Sequence, residues 1–326
     1  DTCKAVWNLQ QVRDQVLAGR WVQYDGKPDP GQLWSWGGNS YTGRLGLNDT
    51  INRSSPVQIP GTAWNEIRSG QNHALARKAD GTLWSWGCNG SGQLGHDTAI
   101  ARSSPVQVPG TAWSGVNASY SNSMARKTDG SLWGWGGNFN GEIGNDTGGV
   151  FQNYSSPVQI PGIAWNDVVM GQRYTLSRKT DGTLWSWGLN TDGQLGINDT
   201  IARSSPIQVP GTAWNDIGST RGTSFARKTD GTLWSWGRGS YGMLGNNTTS
   251  CQSSPVQVPG TQWNDISSSG STCYSLARKT DGTIWSWGFN QYGQLGVGDL
   301  IHRSSPTQVP GTQWNDIGVG RNHSLA

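Results

Sequence analysis

Apolar and polar positions alternate along this chain in short runs, without the spacing of three or four that marks a helix. Thr-Leu-Trp-Ser-Trp-Gly at 183–188 puts both Trp on one face and Leu and Ser on the other, the period of a strand. Trp-Asn-Asp-Ile (214–217) and Ser-Leu-Ala-Arg-Lys (275–279) are two more extended runs. A fourth, Pro-Val-Gln-Val-Pro (105–109), is bracketed by prolines. Proline cannot donate to a ladder, so it suits an edge or a strand start. Thr-Asp-Gly-Thr, between the Lys and the Leu, is a tight hairpin signal in which Gly takes the positive φ.

These runs recur as a set. The Trp-x-Trp-Gly motif opens at Trp34, Trp84, Trp133, Trp185, Trp234 and Trp285, at spacings of 50, 49, 52, 49 and 51 residues. Each copy continues with a Gly-x-Leu/Ile-Gly turn such as Gly92 to Gly95, then Ser-Ser-Pro, the Trp-Asn-Asp strand and the Arg-Lys strand. Strong strand signal with no helical period between copies predicts an all-β protein, a β-propeller of four-stranded blades. Six copies predict six blades, with seven as the alternative. The repeats occupy 31–326, beginning on a lone fourth strand and ending inside a third. Pairing of 31–37 with 321–326 would close the ring and leave no terminal edge in that blade.

Residues 1–30 form a separate element. Val6, Leu9, Val12 and Val16 make a helical stripe over 4–18, Gly19 is a plausible stop, and 25–31 is a Gly/Pro-rich linker. The expected role is attachment or packing against one face of the ring.

Composition supports a thin aromatic core. The chain has 48 Gly and 20 Trp, with only 14% charged residues; 18 of the Trp fall in repeat slots, all but Trp7 and Trp21. Each indole buries a large apolar area, which compensates for the few aliphatics. Net charge is +3 and evenly spread, so no nucleic-acid footprint is expected. No stretch has the length and apolarity of a membrane span. The chain begins at Asp1 without a signal peptide, as expected of a processed chain or a segment of a longer one. Cys3, Cys88, Cys251 and Cys273 match no zinc or redox spacing; a Cys251–Cys273 disulfide is left open.

The run Trp-Gly-x-Asn-x-x-Gly-Gln-Leu-Gly, clear from Gly87 to Gly95, and Gly-x-x-His-Ser-Leu-Ala from Gly320 to Ala326 resemble the regulator of chromosome condensation repeat. The resemblance covers 31–326 and implies a propeller, usually of seven blades. It spans unrelated activities: nucleotide exchange on a small GTPase, ultraviolet photoreception and inhibition of β-lactamases by secreted bacterial proteins. Fold therefore does not decide function. The chromatin-binding exchange factors carry basic tails, which this chain lacks. The photoreceptors carry Gly-Trp-Arg-His-Thr where this chain reads Gly70-Gln71-Asn72-His73 and Gly171-Gln172-Arg173-Tyr174. The run 5–11 with 18–21 resembles an element of marine bacteriophage structural proteins, which implies a virion component.

Candidate chemistry dissolves into the repeat. His73 and His323 share a slot with Asn122, Tyr174, Thr223 and Tyr274, as expected of a hydrogen-bonding position of the blade. Asp80, Asp129, Asp181, Asp230 and Asp281 are hairpin residues; Glu66, Asp167, Asp216, Asp265 and Asp316 lie in the Trp-Asn-Asp strand. A catalytic pair needs two distinct environments, and near-equivalent copies supply the opposite. Asn-Asp-Thr (48–50, 198–200) reads as an Asx-type turn rather than a Ca²⁺ loop. No enzyme, cofactor or metal site is expected.

The loops after each Trp-x-Trp-Gly differ most. They carry the candidate binding residues Tyr41, Phe139, Phe151, Tyr154, Tyr241, Phe289 and Tyr292. Aromatic, Asn, Ser and Gly residues on loops held by a rigid frame suit recognition. The expected function is binding: a phage virion component, tail fibre or surface appendage, contacting a host receptor or virion protein. The alternative is a secreted bacterial propeller, inhibitor- or adhesin-like. Homo-oligomerisation or inclusion in a larger virion assembly would fit either.

Overall fold

The computed structural model describes residues 31–146, 152–267 and 272–326. The expected helix at 4–18, the linker, Cys3 and Phe151 lie outside the described residues. Twenty-four strands are described, all in antiparallel pairs between chain neighbours.

Two strands come first, β1 (Trp34–Gly37) and β2 (Arg53–Gln58). The first complete blade follows: β3 (Trp64–Ser69), β4 (His73–Lys78), β5 (Leu83–Gly87) and β6 (Arg102–Gln107). The second is β7 (Trp113–Ala118), β8 (Asn122–Lys127), β9 (Leu132–Gly136) and β10 (Tyr154–Ile160). The third is β11 (Trp165–Met170), β12 (Tyr174–Lys179), β13 (Leu184–Gly188) and β14 (Arg203–Val209). The fourth is β15 (Trp214–Ser219), β16 (Thr223–Lys228), β17 (Leu233–Gly237) and β18 (Gln252–Gln257). The fifth is β19 (Trp263–Ser267), β20 (Tyr274–Lys279), β21 (Ile284–Gly288) and β22 (Arg303–Gln308). Two short strands, β23 (Gly318–Val319) and β24 (Ser324–Leu325), end the chain. The protein is thus an all-β propeller of five complete blades and two half-blades.

The strand register shows why the sequence repeats as it does. Arg77 opposes Leu83, Ala76 opposes Trp84 and His73 opposes Gly87. The Asp-Gly hairpin sets this register: Asp80 accepts from the Thr82 amide at 2.9 Å and from its hydroxyl at 2.7 Å. That hydroxyl in turn accepts from the Trp84 indole at 3.0 Å. Within each blade three Trp meet edge to face or tilted; Trp113 lies edge-on at 6.4 Å from Trp133 and tilted at 6.2 Å from Trp135. Lys127 caps the cluster, its Nζ 4.5 Å above Trp133 and 4.9 Å above Trp113. Such contacts add cation–π attraction to the buried area. The Arg-Lys pairs, which read in the sequence as solvated strand ends rather than a basic rim, are divided: the lysines cover indoles and the arginines turn towards the first strand.

Neighbouring blades mesh leucine face to tryptophan face. Leu75, Leu83 and Val108 of the first blade pack on Trp113, Val116, Ala125 and Trp135 of the second. The seam also needs glycine. A Cβ at Gly95 would lie 2.9 Å from Nε1 of Trp135, and the φ of +74° already excludes most side chains. The same contact joins Gly46 to Trp86, Gly144 to Trp187, Gly196 to Trp236 and Gly245 to Trp287.

At the two ends the strands pair with their own chain neighbours. β1 pairs with β2 and β24 with β23; no ladder joins 31–37 to 321–326 among the described residues. The second strand of a complete blade has six residues, as in β20, whereas β24 has two. Trp36, in the slot of Trp86, is 60% exposed where Trp86 is 1%.

Candidate functional site

The loops after the third strands leave every blade at the same end, opposite the Asp-Gly hairpins. A buried asparagine organises most of them. Asn89 Oδ1 accepts from the Leu94 amide at 2.9 Å, and its Nδ2 donates to the carbonyls of Thr98 and Ile100. Asn39, Asn190 and Asn290 work in the same way. Beyond the turn, Asp49, Asp199 and Asp299 each take the amide two residues on and the arginine four residues on. These contacts hold the carboxyls of all three below the usual carboxylate range, although burial pulls the other way. The structure shows an Asx-type turn in each of these loops, from Asp49 to Ile51 and from Asp199 to Ile201, one residue on from the expected 48–50 and 198–200.

The loop of the fourth blade breaks the pattern and creates the most distinctive surface. Gly239 stands where the other loops have asparagine, and a Cβ there would lie 2.1 Å from the Ser250 carbonyl oxygen. The chain folds in and makes a one-turn 3-10 segment at Ser240–Gly242, with Tyr241 at a φ of +59°. A positive φ on an aromatic residue is strained, and such strain collects at functional surfaces. Tyr241 is thereby brought to 5.1 Å from both Phe289 and His302 in the next blade's loop. Phe289 stacks on His302 at 4.9 Å and meets Tyr292 edge-on at 6.1 Å. His302 is oriented by its Nδ1, which accepts from the Asn290 amide at 2.9 Å. Tyr241 and Tyr292 stay exposed.

Three of the candidates, Tyr241, Phe289 and Tyr292, therefore come together, and of the other described candidates Tyr41, Phe139 and Tyr154 do not join them. Tyr41 stands apart, 96% exposed at a φ of +71°. Phe139 lies under the Arg173 guanidinium at 5.9 Å. Tyr154 belongs to β10 and packs on the core of its blade. His302, which with His96 reads in the sequence as a variable-loop histidine without a partner of matching spacing, replaces Ala101 and Ala202 of other repeats. That departure was the available signal.

The slot holding His73 proves to be a clamp between blades. His73 Nε2 lies 2.9 Å from the Ser123 hydroxyl, and the Tyr174 hydroxyl donates to the Thr223 carbonyl at 2.8 Å. Burial lowers the His73 pKa to about 4 and raises that of Tyr174 above its ordinary range. Cys88, Cys251 and Cys273 are free thiols, so 251 and 273 are not bridged.

At the ring's centre the first strands of the blades line open cavities of about 340 and 360 Å³. Ile67, Val169, Ile217 and Ile266, one from each of four first strands, line the second. At the first, carboxylates face arginines: Glu66 with Arg77 at 3.4 Å, and Asp216 with Arg227 at 3.6 Å near by. Burial lifts the Asp167 and Asp216 carboxyls above their usual range; hydrogen bonds to the next amide and nearby arginines oppose the shift. Groups of three or more His, Cys, Asp or Glu placed to hold a metal ion do not occur among the described residues.

Blades meshed around an axis, with unlike loops at one end, define a repeat propeller built to present surfaces. The family follows from direct comparison. The RCC1-like domain model matches residues 8–267 and the regulator of chromosome condensation (RCC1) repeat model matches 281–326; the chain belongs to the RCC1-like family. It is 43% identical over 56 residues to Protein RCC2 of Homo sapiens, and equally to its homolog in Danio rerio. Those matches cover 16% of this chain and only 11% of each relative. Among solved structures it resembles yeast RCC1 (Prp20) bound to Kap60, with a TM-score of 0.76 and 20% identity, over 90% of this chain and 76% of that one. Human WBSCR16 gives a TM-score of 0.74 and 21% identity, over 86% and 79%. Prp20p from Saccharomyces cerevisiae, with binding properties towards Gsp1p and histones, gives 0.53 and 19%, over 91% of both chains. At these identities the structural likenesses establish the fold alone.

Proposed function

We propose that this chain is a protein-binding propeller that acts by recognition rather than catalysis, using the loop end that carries Tyr241, Phe289, Tyr292 and His302. The observation behind this reading is the convergence of those four side chains across two blades on a meshed frame. Tyrosine and phenylalanine give large contact area for little conformational entropy, which suits a binding hot spot. Prp20, similar in fold, is a protein bound by Kap60, which favours a protein partner. Low, evenly spread charge disfavours nucleic acid.

The finer reading is a bacteriophage virion component, a tail fibre or surface appendage contacting host or virion protein. Its support is the likeness of 5–11 and 18–21 to phage structural proteins. A photo-cross-linking amino acid at Tyr292, with one at Tyr41 as control, tests the binding surface. Cross-links from 292 alone are expected, and equal labelling from 41 removes the proposed site. Mass spectrometry of purified virions tests the finer reading. The chain is expected in the particles; recovery only from culture medium replaces it with a secreted propeller.

A further inference from the structure

The ring of carboxylates around the axis has one missing member. Glu66, Asp167, Asp216 and Asp265 each oppose an arginine of the next strand: Arg77, Arg178, Arg227 and Arg278. In the second blade that register pairs Arg126 with Gly115. The arginine is kept and its acid is gone.

Arg126 is held as though the acid were present. Its Nη1 donates across the seam to Asn166 Oδ1 at 3.2 Å and to the Trp165 carbonyl at 3.4 Å. The other edge of the guanidinium, Nε with Nη2, turns towards Gly115. A Cβ built on Gly115 would lie 3.5 Å from Nη2 and 3.7 Å from Nε. In the first and fourth blades Nε is the atom that meets the carboxylate, at 3.4 and 3.6 Å. The edge left over is therefore the one that grips a carboxylate with two parallel hydrogen bonds. It opens on the 340 Å³ cavity, which Gly115, Asn117, Asn166 and Arg68 also line. The lining carries two acids, Glu66 and Asp167, and two arginines, Arg68 and Arg126, and both acids have further arginines beside them, Arg77 and Arg178. Glu66 is shared by Arg68 and Arg77, and Asp167 lies within the field of Arg178, Arg126 and Arg68.

We propose that the axial cavity at Gly115 is a carboxylate-binding site, in which Arg126 receives from a ligand the acid that the other blades carry themselves. The ligand is slender enough to enter between the first strands: a small dicarboxylic acid, or a glutamate side chain at the tip of a protein loop. Asn117 and Asn166 supply amides for its remaining oxygens. The site stands independently of the loop surface above, since it uses neither those residues nor that end of the blades.

Gly115 has no left-handed backbone, so an acid can be installed there without strain. The experiment is saturation-transfer NMR with three probes: succinate, acetyl-Gly-Glu-Gly-amide and its Gln counterpart. Intact protein is expected to transfer saturation to succinate or to the Glu peptide, and not to the Gln peptide. Gly115→Asp, which supplies an internal acid, and Arg126→Gln should each reduce the signal at least tenfold while cooperative unfolding is retained. Succinate alone responding assigns a free acid; the Glu peptide alone responding assigns a protein side chain. Silence from both, an equal response to the Gln peptide, or an undiminished signal in Gly115→Asp overturns the proposal. If Gly115→Asp fails to fold, Arg126→Gln decides by the same criterion.

Discussion

The indole of Trp135 donates to the Gln93 carbonyl at 2.9 Å, across the seam between the first and second blades. Four other indoles repeat this bond, Trp86 to Arg44, Trp187 to Glu142, Trp236 to Gln194 and Trp287 to Met243. The seat on the next carbonyl in the series, Gln294, is taken by the Ser324 hydroxyl at 2.7 Å. Ser123 and Ser224 make the same bond beside Trp135 and Trp236, sharing the carbonyl with the indole. The Gln294 carbonyl thus retains the geometry to receive Trp36.

That relationship sets the first expectation. Trp135→Ala empties a buried site and should cost about 3–5 kcal/mol in chemical denaturation. Trp36→Ala, at a site 60% exposed, should cost less than about 1 kcal/mol. A cost for Trp36 as large as that for Trp135 would show that the half-blades meet in solution and that 31–37 does pair with 321–326.

The two sides of the seam can be separated with glycines. Gly95→Ala meets Trp135 at 2.9 Å in addition to its positive φ and should lose about 2–4 kcal/mol. At Gly296 the nearest atom to a Cβ is Val309 Cγ1 at 3.5 Å. Gly296→Ala should therefore cost only the backbone strain, about 1–2 kcal/mol. Equal costs would mean that the Gly296 seat is filled.

His73 gives the seam a pH dependence with a definite sign. Its folded pKa, about 4, lies below the ordinary 6.5 because burial disfavours the imidazolium. Between those values the unfolded chain binds the proton and the folded one does not, so stability rises with pH across that window. It falls as the medium is acidified below pH 6.5 and levels off below about 4. The contribution lost is at most about 3 kcal/mol. His73→Asn, the residue found in this slot at Asn122, should flatten that part of the profile. A wild-type minus variant difference that is constant from pH 7 to 4 would refute the assignment.

How much of this was readable in advance follows from what repeats. Trp-x-Trp-Gly, Asp-Gly and Ser-Ser-Pro identify strands and hairpins because each acts locally, through alternation, turn chemistry or a missing donor. The seam glycines were visible as motif but not as contacts, since Gly95 and Trp135 are 40 residues apart. The sites lie where the repeat fails: Gly239 for asparagine, Gly115 for an acid, His302 for alanine. Sequence reading ranked loops by aromatic content and so grouped Tyr154 with Tyr241. One is committed to a strand, and only the collapsed loop at Gly239 carries the other to Phe289.

Lys127 tests the outer part of the same design. Replacing it by Met keeps the aliphatic stem over Trp113 and Trp133 and removes only the charge. The loss should be about 0.5–2 kcal/mol, the range for a cation over aromatic faces. No change in the denaturation midpoint would mean that the stem alone covers the indoles.

The loop collapse at Gly239 yields the last expectation, because one methyl group should undo the aromatic cluster. A Cβ on Gly239 would press on the Ser250 carbonyl at 2.1 Å, and that atom is backbone, not a side chain that can swing aside. The 3-10 segment must then open, and Tyr241 loses its place beside Phe289 and His302. The 3-10 segment runs directly into Met243, whose carbonyl receives the Trp287 indole, so Gly239→Ala should also cost about 1–3 kcal/mol in global stability. The His302 ring protons report on the cluster directly, since stacked and edge-on rings at 4.9 and 5.1 Å displace their resonances. Gly239→Ala should move these signals towards their values in an unfolded chain, whereas Gly115→Ala, at the axis, should leave them in place. If both variants leave them unchanged, the aromatic surface does not depend on the glycine, and the collapse of the loop is not what assembles it.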